Sequence, residues 1–579
     1  MAKLPTIPTR GSRATAQMMD AFLGYEHKKS AREGAWYEQQ NMTAEAYPVL
    51  ASRRLRRTGS TLTAPAGMIA KDALAVIDGT AVVYNGYRVE LGLSTAAAKC
   101  PKQLLSMGAY LLIWPDKKYL NTKDLSDKGS MENRVTVSGT VTISLCRQDG
   151  TAYGSSTASS TAPADPTAGQ LWIDTSNSAV PVLKEWSADS AMWVTIPTTY
   201  LRLQAQGIGA GFELYDGVTL SGLTGAAETL NGSHALYAVG EDYLVIVGIL
   251  NSGTTMDVGV TVERTVPDMD FVTECDNRIW GCKYGMVDGE VVNEIYASKL
   301  GDFKNWGCYM GLSTDSYAAG RGSDGVFTGA VTHQGHPLFF RENCIEKVYP
   351  SETGAHQIVT TEARGVQRGC WRSLVIVGET LYYKSRSDVC AYTGALPVSV
   401  SEALGDTVYS DARAGAAGEK YYLSMADGAG AWHLFTYDTA RGIWSREDDT
   451  HALCFAAVDG EMWWIDEETG TLRCASGDAA GPVAWSVTSG VIGFDLAENE
   501  YISRLAIRCE TAGQLHVELQ YDEGAWQDKG TFRRQGLGSI FVPVAPRRCD
   551  HLRLRLSGDE SVRIYSIAKY VERGSDVMR

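Results

Sequence analysis

The chain has 579 residues, 44% hydrophobic and 21% charged, which is the balance of a folded protein with several cores. Its formal charge of −15 argues against holding nucleic acid through broad phosphate neutralisation, which needs clustered Lys and Arg. The 60 glycines, 28 tyrosines and 14 tryptophans favour many short strands joined by tight turns over many helices.

The start, MAKLPTIPTRGSRATAQMMD, has no apolar h-region, so no secretory signal is expected. Residues 1–65 read as an N-terminal arm lying along another surface, its own or a partner's, because residues 10–46 show little periodicity. The arm ends in Arg53, Arg54, Arg56 and Arg57. This basic cluster reads as a solvated patch, as a docking point for an acidic neighbour, or as a nucleic-acid contact.

From Leu74 a repeat appears: an apolar strand, a Gly turn, then a strand with a bulky doublet. The clearest copies turn at Gly335, Gly378, Gly418 and Gly460. Their doublets are Phe339-Phe340, Tyr382-Tyr383, Tyr421-Tyr422 and Trp463-Trp464, spaced 43, 39 and 42 positions apart. Looser copies turn at Gly79, Gly108, Gly240 and near Asn277. A period of about 40 with strand–turn–strand content is the pattern of β-propeller blades, since one twisted four-stranded sheet cannot cover both its faces and stacked blades can. The expectation is an all-β chain with a propeller of six to eight blades, residues 66–134 and 231–480; unrelated hairpins in a β-sandwich are the alternative.

Residues 135–230 interrupt the repeat and read as an inserted small β domain. It opens on a strand pair, passes through the Ser/Thr/Ala/Pro stretch 154–169, read as a mobile linker, and continues into a piece with Trp172, Trp186 and Trp193. Those tryptophans are candidate glycan contacts, because apolar sugar faces pack on indole; the core of a small domain is the other reading. Residues 481–579 alternate apolar and polar positions, strictly so in HLRLRL (551–556), and read as a C-terminal antiparallel β-sandwich with its arginines on the outer face. The longest apolar stretch, residues 243–250, is far below the ~20 residues a bilayer span needs.

Residues 276–306, DNRIWGCKYGMVDGEVVNEIYASKLGDFKNW, resemble a stretch of phage tail-hub, nozzle and packaged-DNA stabilisation proteins: Asn-Arg-hydrophobic-Trp, a short strand, Ile-Tyr-x-Ser-x-Leu-Gly-Asp, then Trp. QNMTAEAYPVLASRRLRR is similar to the opening segment of that family, and GQLWIDTS with the following VLKEW resembles small modules inserted in phage tail proteins. The resemblance implies a virion structural protein made in the host cytoplasm and forming a ring, commonly a hexamer. The ring would sit below the portal and adaptor proteins, with genomic DNA passing through its lumen without sequence-specific binding. An acidic lumen would then keep DNA from adhering. A distal tail or baseplate adhesin binding host glycans through the inserted domain is the alternative, and a propeller glycosidase the third reading.

No catalytic, cofactor or metal-binding residue stands out, and the expectation is a protein that is not an enzyme. His333 and His336 are three apart across a turn and read as turn or surface histidines. The glycines of GIGAG (207–211) read as a flexible loop. The acidic runs 447–449 and 466–468 read as solvated loops, since a glycosidase pair needs a defined separation across a cleft. The 12 cysteines lack any CxxC pair and read as reduced, mostly buried residues.

Overall fold

The computed structural model describes residues 14–257, 259–323, 325–477, 481–493, 500–547 and 549–573. Residues 1–13, most of the stretch read for an export signal, lie outside them. The described chain is nearly all β, its helical turns being short 3-10 segments such as Trp371–Ser373. Among the described residues no helix is long and apolar enough to cross a membrane.

Among the described residues, seven four-stranded antiparallel meanders recur, at 65–90, 103–130, 271–320, 329–362, 375–399, 409–448 and 452–474. In the seventh, the fourth strand is not the next in sequence. Arg57–Thr61 supplies it, pairing Thr61 with Thr471 and Arg57 with Cys474. The hairpin glycines take the left-handed backbone that the turns demand: Gly460 has φ 78° after Asp459 at 52°, and Gly335 has φ 74° after Gln334 at 50°. The bulky doublets all fall in the second strand of their sheets, where alternation sends one ring to each face. Phe339, Phe340, Tyr383, Tyr421 and Trp464 are buried in consequence.

The chain divides into two compact units, one comprising residues 1–101, 340–345 and 361–579, the other residues 102–339 and 346–360. In the first, four meanders pack face to face. Tyr382 meets Tyr421 at 5.5 Å between the 375–399 and 409–448 sheets. Tyr422 and Leu434 join Ala452, Phe455 and Trp464 in one cluster, and Met68 and Val76 join Leu453, Ala456 and Ile465 in another. The resulting order is 375–399, 409–448, 452–474, 65–90. In the second unit, Met107, Leu112 and Trp114 pack with Val272, Ile279 and Phe303, and Trp280 and Ile295 pack with Phe327, Phe339 and Val348.

The expected Gly79 hairpin is present in the 65–90 sheet, where it joins the second and third strands; the first, Pro65–Lys71, reverses at Asp72 (φ 55°). The N-terminal segment, read as an arm along its own or a partner's surface, pairs with strands of its own chain. Its strands Thr15–Met19, Met42–Thr43 and Leu50–Ser52 join one sheet of the C-terminal sandwich, while Gly24–Tyr25 and Ala35–Gln40 join the other. Phe22, Trp36, Met42 and Leu50 are too sparse to make a core alone, but they complete one with Val487, Leu515, Leu556, Ile507 and Ile564. In HLRLRL, Leu552, Leu554 and Leu556 face that core, while Arg553 and Arg555 turn outward around Trp526.

The insertion is larger than 135–230. Two sheets built from strands between Asn133 and Arg264 pack together through Val141, Ile143, Leu203 and Ile246 on one side and Val218, Leu220, Val260 and Val262 on the other. The Gly240 hairpin therefore belongs to the insertion, not to the meander series. Arg264 fixes its root, donating to Asp216 at 2.5 Å and to the Met131 carbonyl at 3.3 Å. Gly209 of GIGAG is needed for close approach rather than flexibility, because a Cβ there would lie 2.0 Å from the Gly240 carbonyl oxygen.

Candidate functional site

A small sheet rides on the insertion: Ser156–Ser159, Leu171–Asp174, Val182–Ser187 and Met192–Thr195, in that order. The stretch read as a mobile linker thus supplies an edge strand, paired parallel to Leu171–Asp174. Alternation sends Leu171, Ile173 and Leu183 inward, against Leu145, Tyr153 and Ile249. Trp172, Lys184, Trp186 and Trp193 go to the opposite face, with Trp172 opposite Lys184 and Trp186 opposite Trp193.

The three indoles form an edge-to-face chain, Trp172 to Trp193 at 5.3 Å and Trp193 to Trp186 at 5.4 Å. They do not share one role. Trp172 is 6% exposed, donates its N–H to the carbonyl and hydroxyl of Ser159, and carries the Lys184 ammonium over its ring at 4.9 Å. It anchors the face. Trp186 and Trp193 are half-buried on the same face. Beside them Lys184 and Asp174 pair at 2.8 Å, and the hydrogen bonds from Lys184 and Ser176 hold the Asp174 carboxyl down at about 2. The face thus offers apolar ring surface, a fixed acceptor and a fixed donor within one strand spacing.

The basic cluster is engaged within the chain. Arg56 reaches Glu447 at 2.7 Å and also Asp448, Arg53 reaches Asp448 at 3.2 Å, and Arg57 pairs with Glu461. The Arg56 and Arg57 guanidiniums lie over the rings of Trp464 and Trp463. Arg54 alone of the four has no such partner described and stays exposed. Acidic run 447–449 is correspondingly not a solvated loop: Glu447 is buried within this network.

The second acidic run is also engaged. Glu467 accepts Arg413 at 3.0 Å and lies 2.9 Å from His451 Nε2, and Trp432 stacks on His451 at 3.7 Å. Burial holds the His451 imidazole below its ordinary value. Burial, then the neighbouring Arg413, pushes the Arg372 guanidinium down to about 10. His333 is buried too, rather than a surface residue. Among the described residues no group of His, Cys, Asp and Glu could hold a metal ion.

The distinctive 276–306 string proves to be a structural knot. Arg278 is buried and donates to the carbonyls of Ser298, Asp315 and Ser313 at 2.6–2.7 Å. Asn305 accepts the Gly217 N–H at 3.1 Å and donates to the Tyr215 carbonyl at 2.7 Å, tying the insertion to its parent sheet. The Trp306 indole donates to the Phe303 carbonyl.

A cleft of about 840 Å³ lies in the first unit between residues 43–55 and the strand ends carrying Glu510, Thr511, Ser561 and Arg563. Smaller clefts of about 220 and 340 Å³ continue it: Glu45 lines all three, Arg53 and Arg54 the first two, Tyr422 and Ser476 the last two.

No family model matches the chain, and no curated protein matches it in sequence. Solved structures do match. One is an exo-β-1,3-galactanase from Phanerochaete chrysosporium, 9% identical over 52% of this chain and 95% of that one, with a TM-score of 0.21. A family 43 arabinoxylan arabinofuranohydrolase from Bacillus subtilis matches at 9% identity over 53% and 95%, with a TM-score of 0.15. A Cry1Da tryptic core variant from Bacillus thuringiensis matches at 9% identity over 52% and 51%, with a TM-score of 0.14.

Two expectations are corrected by these matches. The phage tail-hub or nozzle subunit is withdrawn, since the matched structures named above are glycoside hydrolases and a toxin core. The expectation that the chain is not an enzyme is withdrawn for the same reason. At such TM-scores the matches lend this chain no residue, substrate or reaction.

Proposed function

We propose that the chain is a carbohydrate-binding protein whose contact surface is the outer face of the small sheet, with Trp186 and Trp193 as stacking residues. The observation that carries this reading is the division of labour among the three indoles. Trp172 is buried and hydrogen-bonded, while Trp186 and Trp193 are half-buried beside the fixed Lys184–Asp174 pair. A sugar ring has an apolar face of C–H groups and an equatorial belt of hydroxyls, and such a site answers both: indole for the face, carboxylate and ammonium for the belt. The recurring four-stranded meanders fit the blades of a β-propeller as the scaffold, one of them completed by Arg57–Thr61.

The test is isothermal titration of the full chain against a panel of soluble oligosaccharides. Trp186→Ala and Trp193→Ala should each weaken binding by tenfold or more, and Trp193→Phe should recover most of the loss. Unchanged affinity in both alanine variants contradicts the reading.

A further inference from the structure

The cleft of the first unit is not used by the proposed contact surface, and its lining specifies a ligand. Three neighbouring clefts share Glu45 in their walls and together form a trough-like surface, whose largest part of about 840 Å³ is near the upper end of small-ligand pockets on its own. That extent suits a chain rather than a single small molecule.

Its charges compensate one another. Five Arg or Lys and five Asp or Glu side chains line the three segments, so the trough carries no net charge in a chain whose formal charge is −15. The compensation is local as well as global. Glu45 pairs with Lys420 at 2.5 Å, Asp438 with Arg441 at 2.6 Å, and Arg53 lies 3.9 Å from Glu447. Glu510 stands directly across from Arg563 on the adjacent strand and accepts the Tyr565 hydroxyl at 3.0 Å. Paired charges attract a free ion weakly. Thr43, Ser52, Thr511, Gln535 and Ser561 add uncharged hydrogen-bonding groups to the largest segment.

We propose that this trough binds a neutral oligosaccharide chain, as a second site in addition to the tryptophan face. A neutral polyhydroxylated polymer can engage fixed donors and acceptors along its length without adding uncompensated charge, whereas an acidic polymer would add charge to a lining whose own charges already cancel. The proposal rests on the carbohydrate reading of the protein, but its site lies on different elements in the other unit.

The experiment is calorimetric titration of the full chain with neutral hexasaccharides (cellohexaose, xylohexaose, maltohexaose) and with hexagalacturonate. Three proteins are compared: the unmodified chain, Ser561→Trp, which fills the largest segment from an exposed position, and Trp186→Ala/Trp193→Ala. The expected result is a second binding event with a neutral hexasaccharide that Ser561→Trp weakens at least tenfold and that the tryptophan double variant retains. Hexagalacturonate should bind this site at least tenfold more weakly. A single event lost in the tryptophan variant and untouched by Ser561→Trp overturns the trough and leaves the tryptophan face standing. Tighter binding of hexagalacturonate at the trough overturns the neutral-ligand assignment, and no binding by any of the four sugars overturns the proposal.

Discussion

The arginine cluster at 53–57 and the tryptophan cluster at 172–193 look alike in one respect: each is a run of residues suited to gripping a partner. The structure treats them in opposite ways. Arg53, Arg56 and Arg57 meet carboxylates from strands about 400 positions away in the chain, and two of them cover the tryptophans of a doublet. Of the three indoles, only Trp172 is consumed by the fold, and Trp186 and Trp193 keep surface. A side chain is available for binding only to the extent that its own chain has left it unsatisfied.

The comparison can be broken most forcefully by deleting residues 1–61. That deletion removes the fourth strand of the 452–474 sheet and five strands of the sandwich, so no soluble folded protein should be recovered. A stable, cooperatively unfolding product would show that the N-terminal segment is dispensable. Next in size is Arg56→Met. It leaves the buried Glu447 and the half-buried Asp448 with less compensation and should cost about 3–5 kcal/mol in denaturant unfolding. Adding Glu447→Gln and Asp448→Asn should return much of the loss.

The same network sets an acid limb. Burial alone would raise the Asp448 carboxyl, but Arg56 and Arg53 outweigh it and hold the group below its ordinary value. A carboxyl depressed on folding contributes stability that is fully present above the unfolded value of ~3.9 and is lost as pH falls through the lower folded one. Asp448→Asn should therefore flatten the stability profile below about pH 4. An unaltered acid limb would mean that other carboxylates govern it. Smallest of all, Arg54→Ala should change stability by no more than about 0.5 kcal/mol, because this arginine is exposed and no ion pair is described for it.

Which parts were legible in the sequence follows from locality. The doublets at 339–340, 382–383, 421–422 and 463–464 were readable because period-two alternation and a left-handed turn glycine are both short-range signals. Trp36 and Met42 gave no such signal, since their partners Leu515 and Ile564 lie more than 450 positions on. The Gly240 hairpin misled for the opposite reason: its alternation is the same whether the strand joins a meander or the insertion. At the candidate site, the sequence named the three tryptophans but not their difference. That depends on Ser159, a residue of a low-complexity stretch, accepting the Trp172 N–H. The trough had no sequence signature, because its walls come from residues near 50, 420, 510 and 560.

The central claim is that Trp186 and Trp193 touch sugar and Trp172 does not. Fluorine NMR of the full chain labelled with 5-fluorotryptophan, with resonances assigned by single Trp→Phe variants, reads the three side chains separately during titration with a bound oligosaccharide. The account predicts saturable shifts for Trp186 and Trp193 that fit one dissociation constant, with the Trp172 resonance moving far less. Saturable binding that leaves both Trp186 and Trp193 unmoved would contradict it.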